Sequence, residues 1–143
     1  MTKKDFLIIY NTASYLANNA FNKLGLKSKF FTNAFKSDYD VLSDEEYYLR
    51  AELAEKDNGV PRKDQSGQLV VSLDNDKKLA VELKKWKSEE FILDKSKLSP
   101  FVPTEKDEKC FMISPEIYET LNGFVFDLDE EKYLEILEKN KIK

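Results

Sequence analysis

Glycine and proline are scarce in this chain, and their scarcity limits the folds that it can adopt. Each occurs four times among 143 residues, so the backbone has few positions at which it can turn sharply. Hydrophobic residues make up 41% and charged residues 35% of the sequence, as in soluble and highly charged globular proteins. A chain of this length fits one core with a small appendage. We therefore expect an α+β fold dominated by helices.

Two apolar stripes predict long helices in the N-terminal part. Thr2 and Asp5 have the spacing of a capping pair, and the stripe after them predicts a helix from about residue 3 to 24, which ends at Gly25 in a left-handed conformation. The second stripe has spacings of four and seven and consists of Phe31, Phe35, Leu42, Leu49 and Leu53. It predicts either one helix over residues 27–57 or two helices joined at Leu42-Ser43, and we favour one helix.

A hairpin and another helix are expected next. Asn58-Gly59 ends the long helix, and two short strands flank the turn at Gly67. A helix begins at Asp74 or Asp76 and runs to about Ser88, with inward residues Leu79, Leu83 and Trp86. Because two strands alone are marginally stable, we expect Phe91-Ile92-Leu93 to add a third strand to the sheet.

The last third is predicted as a small strand-helix-strand-helix extension. Residues 95–109 are rich in Lys, Ser, Pro, Asp and Glu, which favours a linker or surface loop held by Phe101-Val102. The expected strands are 111–113 and 124–126, and the expected helices begin at Ser114-Pro115 and at Asp127 or Asp129. Their inward residues are expected to be Ile117, Tyr118 and Leu121 in the first helix and Tyr133, Leu134 and Leu137 in the second. The domain prediction is then a helical domain with a β-hairpin over 1–94, a linker over 95–109 and a small α/β extension over 110–143.

The residue types argue against catalysis and against bound cofactors. The chain has no histidine and one cysteine, Cys110, so Ser-His-Asp, Cys-His and histidine-metal chemistry are excluded. The acids from Asp127 to Glu131 fit the N-terminus of a helix better than a cation loop, because no central glycine accompanies them. We expect a protein that is not an enzyme and holds no cofactor or metal. No apolar run of about 18 residues occurs, so we expect a cytoplasmic protein without a membrane span.

Charge and exposed aromatic residues indicate where a partner would bind. Residues 1–37 hold six lysines and one acid, whereas residues 38–57 hold eight acids against Arg50 and Lys56. The acidic block is either the solvated side of a helix or an imitation of nucleic-acid phosphates, and the lysines from Lys77 to Lys87 form a possible weak nucleic-acid patch. Phe30 and Tyr47 lie beside the apolar stripes. The candidate partner-binding residues are Phe30, Asp44, Glu45, Glu46, Tyr47, Lys84 and Lys85.

Several segments between Leu24 and Leu93 together resemble a known group of proteins. They are residues 27–31, 44–46, Leu49, 54–59 (AEKDNG) and 89–93 (EEFIL). About half of the chain resembles small proteins of unknown function encoded by phages and prophages of Gram-positive bacteria. The resemblance implies a phage accessory or assembly role, in the host cytoplasm or on the virion, and it transfers no site residue.

The sequence thus leaves three functional hypotheses. We favour a non-enzymatic module that binds a protein partner of the host or the phage, because no residue set supports chemistry. The first alternative is an acidic inhibitor of a host defence enzyme that mimics nucleic acid through the block at 38–57. The second is a weak nucleic-acid binder that uses the lysines from Lys77 to Lys87.

Overall fold

A computed structural model describes residues 1–141, and its architecture is α+β with helices dominant. The main helices are α1 (Lys3–Asn19), α2 (Lys23–Ala34), α3 (Lys36–Leu53), α4 (Leu73–Ser88), α5 (Pro115–Leu121) and α6 (Glu130–Lys139). Two short 3-10 helices cover Lys95–Lys97 and Glu105–Phe111. The strands β1 (Lys56–Asp57) and β2 (Val60–Pro61) form a two-stranded antiparallel sheet. The expected helix-dominated α+β class is therefore confirmed. None of the described helices is long and apolar enough to cross a membrane.

The chain divides into two compact units that interleave along the sequence. Unit 1 contains residues 1–4 and 37–91, and unit 2 contains residues 5–36 and the chain from Ile92 onward. This division differs from the predicted boundary after residue 94, because residues 5–36 belong to the same unit as the C-terminal third. The predicted linker 95–109 carries both 3-10 helices and lies within unit 2.

Unit 1 is built on α3, α4 and the N-terminal residues. Ser72 caps α4 by accepting a hydrogen bond from the Asn75 N–H, and the Asn75 amide donates to the carbonyl of Leu53 at the end of α3. The predicted inward face of α4 is confirmed, with Leu79, Leu83 and Trp86 buried. Leu42 is buried on α3, but the stripe weakens toward the C-terminus of that helix, where Leu49 and Leu53 are only half-buried.

The small sheet forms at a different turn from the predicted one. Asn58 and Gly59 have φ values of 51° and 82°, which a tight hairpin turn between right-twisted strands requires. Around Gly67 only an isolated bridge between Lys63 and Leu69 forms. The predicted strand at Phe91-Ile92-Leu93 is wrong, because the N-terminal segment pairs there instead.

That pairing ties the start of unit 1 to the end of α4. Thr2 bridges Glu90 in antiparallel fashion, the Phe91 N–H donates to the Met1 carbonyl at 2.8 Å, and the Lys3 N–H donates to the Glu89 carbonyl at 2.9 Å. The partners are more than 85 positions apart in sequence. Local sequence patterns do not report such a contact.

Unit 2 contains two helix breaks that the sequence patterns misplaced. The first helix ends at Asn19 rather than near residue 24, because Asn22 caps α2 by accepting from the Gly25 N–H at 3.1 Å. Gly25 is buried inside α2, and a Cβ there would lie 1.8 Å from the Ala20 carbonyl oxygen. Gly25 is thus needed for a close approach and not for a left-handed helix end.

The second break falls at Phe35. The favoured single helix over 27–57 is wrong, and the junction at Leu42-Ser43 is wrong as well, because α2 and α3 meet at Phe35 with φ −108° and ψ 12°. The Phe35 ring is fully buried and contacts Phe31 and Phe6. The break therefore accompanies an aromatic cluster that a straight helix stripe does not predict.

The C-terminal part of unit 2 is helical and not strand-rich. Thr104 and Asp107 form a capping box that starts the 3-10 helix Glu105–Phe111, so the predicted strand 111–113 is wrong. Residues 124–126 form a turn with isolated bridges rather than a strand. The predicted starts of α5 at Ser114-Pro115 and of α6 at Asp129 are confirmed.

The inward faces of this part were predicted less well than its helix starts. Tyr118, Leu121 and Tyr133 are buried as expected. Val102 and Leu134 were expected to pack inward, but both are exposed.

Candidate functional site

A groove in unit 1 brings together polar and apolar side chains from α3 and from the loop after the hairpin. It has a volume of about 360 Å³ and is lined by Tyr47, Arg50, Gly67, Gln68, Leu69 and Val71. We call it the Tyr47 groove. Tyr47 and Arg50 lie three positions apart on α3, so their side chains share one face of that helix.

Neighbouring charges surround the α3 wall of the groove. The Arg50 Nη2 lies 3.0 Å from the Glu46 Oε1, one turn earlier on α3, and the Lys63 ammonium lies 6.0 Å from the centroid of the Tyr47 ring. Tyr47 also meets Tyr48 edge to face, with ring centroids 6.1 Å apart. The wall is therefore an aromatic surface beside two cations and one carboxylate, and Tyr47 itself remains 43% exposed.

The opposite wall is set by a turn that Asp64 organises. Its Oδ1 accepts hydrogen bonds from the Ser66 hydroxyl, the Ser66 N–H and the Gln68 N–H. These bonds, the Ser66 hydroxyl foremost, hold the pKa of Asp64 below its ordinary value. Gly67 completes the turn with φ 84°. After the turn, Leu69 bridges Lys63, Val70 is hydrogen-bonded to Arg62 and Glu55, and Leu69 and Val71 line the groove opposite α3.

A second charged cluster in unit 1 joins α3 to the N-terminal residues and to the end of α4. We call it the Lys3 cluster. The Lys3 ammonium lies 2.8 Å from the Glu45 Oε1 and 3.3 Å from the Glu89 Oε2, and the Trp86 indole N–H donates to the same Glu45 oxygen at 3.1 Å. The Lys3 ammonium also lies 5.3 Å from the centroid of the Trp86 ring.

The pKa values of this cluster follow from those contacts. The hydrogen bond from Lys3, with help from Trp86, lowers the pKa of Glu45 despite partial burial of the carboxyl. Burial alone would lower the pKa of Lys3, but its hydrogen bonds to Glu45 and Glu89 outweigh burial and raise it. Both shifts favour the charged pair, which fastens the N-terminal residues to α3.

The structure separates the predicted site residues and does not bring them together in one place. Tyr47 lines the groove, and Glu46 pairs with Arg50, which also lines it. Glu45 instead belongs to the charged cluster around Lys3. Asp44 is exposed on α3. Lys84 and Lys85 are exposed on α4, where Lys85 lies 3.7 Å from Glu82.

Phe30 lies in unit 2. Its ring is 52% exposed on α2, with the Lys27 ammonium 5.3 Å from the ring centroid.

Sequence reasoning missed Arg50, Leu69 and Val71 as groove residues. Arg50 follows Glu46 by four positions, a spacing typical of a helix-stabilising pair, and the pair is present, but the same side chain also lines the groove. Leu69 and Val71 alternate with Val70 in the predicted strand, which was the available signal for a shared face. Phe21, which is 99% exposed between α1 and α2, was also missed.

Side chains that could bind a metal do not cluster in the part of the chain that the structure describes. Over residues 1–141, no three His, Cys, Asp or Glu side chains lie together as metal ligands would. Cys110 is a free thiol at the end of a 3-10 helix and is half-buried. No model of a protein family matches the chain, and neither a curated protein nor a solved structure matches it.

Proposed function

We propose that this chain is a non-enzymatic protein-binding module and that its partner occupies the Tyr47 groove. The observation that carries the proposal is the exposed Tyr47 beside Arg50, opposite the half-buried Leu69 and Val71. Tyrosine and arginine are enriched among residues that dominate binding energy, especially where apolar surface surrounds them. The narrower role of a phage accessory or assembly protein rests on the sequence resemblance alone.

The two alternative functions have weaker support from the side-chain contacts. Nucleic-acid mimicry needs unpaired acids, but Glu45, Glu46 and Glu55 each lie within ion-pair distance of a cation in unit 1. The lysines of α4 include Lys84 and Lys85 on its exposed surface, but no exposed aromatic side chain on α4 accompanies them for base stacking. The Tyr47 groove, with an exposed tyrosine, an arginine and an apolar surface, has more of the features of protein-binding sites than either alternative surface has.

Affinity capture with matched variants tests the proposal. The purified chain, immobilised, is exposed to lysate from cells that express it, and retained proteins are identified by mass spectrometry. We expect a retained protein that disappears with Tyr47→Ala and persists with Tyr15→Ala. Tyr15 is the matched control because it is a 60% exposed tyrosine on α1 in unit 2.

Two results would count against the proposal. One is a set of retained proteins that is identical for Tyr47→Ala and the unaltered chain. The other is a gel shift with DNA or RNA at about 50 mM salt that Lys84→Glu abolishes, since that would assign the chain to nucleic-acid binding.

A further inference from the structure

Residues 68–71 use the backbone hydrogen-bonding groups on one side of the segment only, and among the described residues the other side is an unpaired backbone edge. The Val70 N–H donates to the Arg62 carbonyl at 3.0 Å, and the Val70 carbonyl accepts from the Glu55 N–H at 2.8 Å. Both backbone groups of Val70 therefore point toward the hairpin. In an extended chain the backbone groups of the two neighbouring residues point the opposite way.

Leu69 and Val71 are those neighbours, and their backbone groups are unused. Within residues 1–141, neither the N–H nor the carbonyl of Leu69 or Val71 has a hydrogen-bond partner. The bridge between Lys63 and Leu69 fits this geometry, because its two flanking bonds use Gln68 and Val70 rather than Leu69. One additional strand would satisfy all four groups.

The same two residues point their side chains into the Tyr47 groove. Side chains two positions apart on a strand share one face, and both Leu69 and Val71 line the groove with Tyr47 and Arg50. A chain that paired with this edge would thus also place alternate side chains against the groove. This is the arrangement by which extended peptides bind to sheet edges, where backbone bonds give affinity and pockets give selectivity.

The charges around the groove select the kind of peptide. Arg50 and Lys63 face the carboxylates of Glu46 and Asp64 around the groove, so the cations and carboxylates balance. Glu46 engages only the Nε and Nη2 of Arg50, which leaves the Nη1 donors of that guanidinium for a carboxylate of the peptide. Leu69 and Val71 supply an apolar surface. We propose that the groove binds an extended peptide segment that adds as a strand to the Leu69–Val71 edge, with an apolar side chain on that surface and a carboxylate near Arg50. This inference rests on the proposed function and names the partner segment that the groove fits.

Peptide selection followed by amide hydrogen exchange tests the inference on the full chain. A displayed library of random peptides of about twelve residues is selected on the unaltered protein. We expect the selected peptides to share an acidic residue two positions from an apolar one. In the free protein the Val70 amide should exchange more slowly than those of Leu69 and Val71. On addition of a selected peptide, the Leu69 or Val71 amide should slow by about tenfold or more.

Two chemical controls separate strand addition from other binding modes. N-methylation at alternate positions of a selected peptide should weaken binding by about tenfold or more at one set of positions and little at the other set, because only one set faces the edge. Arg50→Gln should weaken binding of the acidic peptides about tenfold, whereas Lys84→Gln on the exposed surface of α4 should leave it unchanged.

The outcomes distinguish this inference from the proposed function. Failure of the selection, peptides that bind as helices, or unchanged exchange at Leu69 and Val71 would each overturn strand addition. If capture of a protein still depended on Tyr47, the proposal of a binding module would stand even though strand addition had failed. Loss of the Tyr47-dependent capture would instead remove the proposed function.

Discussion

Gly25 lies inside α2, where glycine lowers helix propensity but leaves room for the Ala20 carbonyl. In most helix interiors, replacing glycine by alanine stabilises the protein by about 1 kcal/mol, because alanine has the higher helix propensity. A Cβ at position 25 would lie 1.8 Å from the Ala20 carbonyl oxygen, which no small adjustment accommodates. We expect Gly25→Ala to destabilise by about 1–3 kcal/mol, the range for overpacked interiors, in urea unfolding.

Asn33→Ala on the exposed side of α2 is the control for that substitution. It should change stability by less than about 0.5 kcal/mol. A Gly25→Ala protein as stable as the original would contradict the packing of α2 against the end of α1.

Glu45 carries a pH prediction whose sign follows from its lowered pKa. A carboxyl with a lower pKa in the folded protein than in the unfolded chain adds stability at neutral pH, and this stability disappears as the pH falls through the folded value. The free energy of unfolding should therefore decline between about pH 5 and pH 3, and Glu45→Gln should reduce that decline.

The measurement is urea unfolding at a series of pH values, with Glu52→Gln as the control because Glu52 is an exposed glutamate on the same helix. Equal acid dependence in the Glu45→Gln and unaltered proteins would show that the Lys3 cluster does not contribute to folding stability.

At the scale of the helix, the two long elements of unit 1 differ in how much of their apolar face is buried. Trp86 on α4 is 5% exposed, whereas Leu49 on α3 is only half-buried. Trp86→Ala should cost about 3–5 kcal/mol. Leu49→Ala should cost about 1 kcal/mol. Denaturant melts of the two variants check this order, and a larger loss for Leu49 would mean that α3 is packed more deeply than described.

Elements with local start signals were the ones that the sequence predicted well. Ser114 and Asp129 cap their helices through backbone N–H groups two or three positions ahead, so a short window of sequence contains the whole interaction. The start of α4 was placed at Asp74 or Asp76, slightly too late, because Ser72 is its cap. The apolar face of α4 was predicted equally well, because its apolar residues recur at helical spacing within the helix itself.

Elements defined by distant contacts were the ones that sequence reasoning missed. Thr2 pairs with Glu90, where a third strand was predicted nearby. Leu69 and Val71 flank Val70, whose hydrogen bonds to Arg62 and Glu55 join this segment to the hairpin. Tyr47 was identified as an exposed aromatic, but its apposition to Leu69 depends on that pairing. A single sequence contains no periodic signal for such contacts.

For the whole molecule, the interleaved units predict that the chain cannot be shortened at the apparent boundary after residue 94. A fragment over 1–94 would keep the segments of unit 1 but would lack the C-terminal half of unit 2. The fragment would then lack the C-terminal residues of the unit in which Phe6, Leu24 and Phe35 are almost fully buried. We expect residues 5–36 of this fragment to exchange their amide hydrogens rapidly, while the full chain protects them. Protection of 5–36 at the full-chain level would show that the N-terminal helices fold independently.

The interleaving also fixes an order of events during synthesis. Unit 1 has all of its residues once Phe91 has been made, whereas α1 and α2 must wait for segments that reach to Ile136 before their unit is complete. At a synthesis rate of about 5–20 residues per second, α1 remains without the C-terminal segments of its unit for on the order of ten seconds. We expect Phe6, Phe31 and Phe35 to have only one another to pack against during that interval, so this part of the chain should depend longest on protection from aggregation.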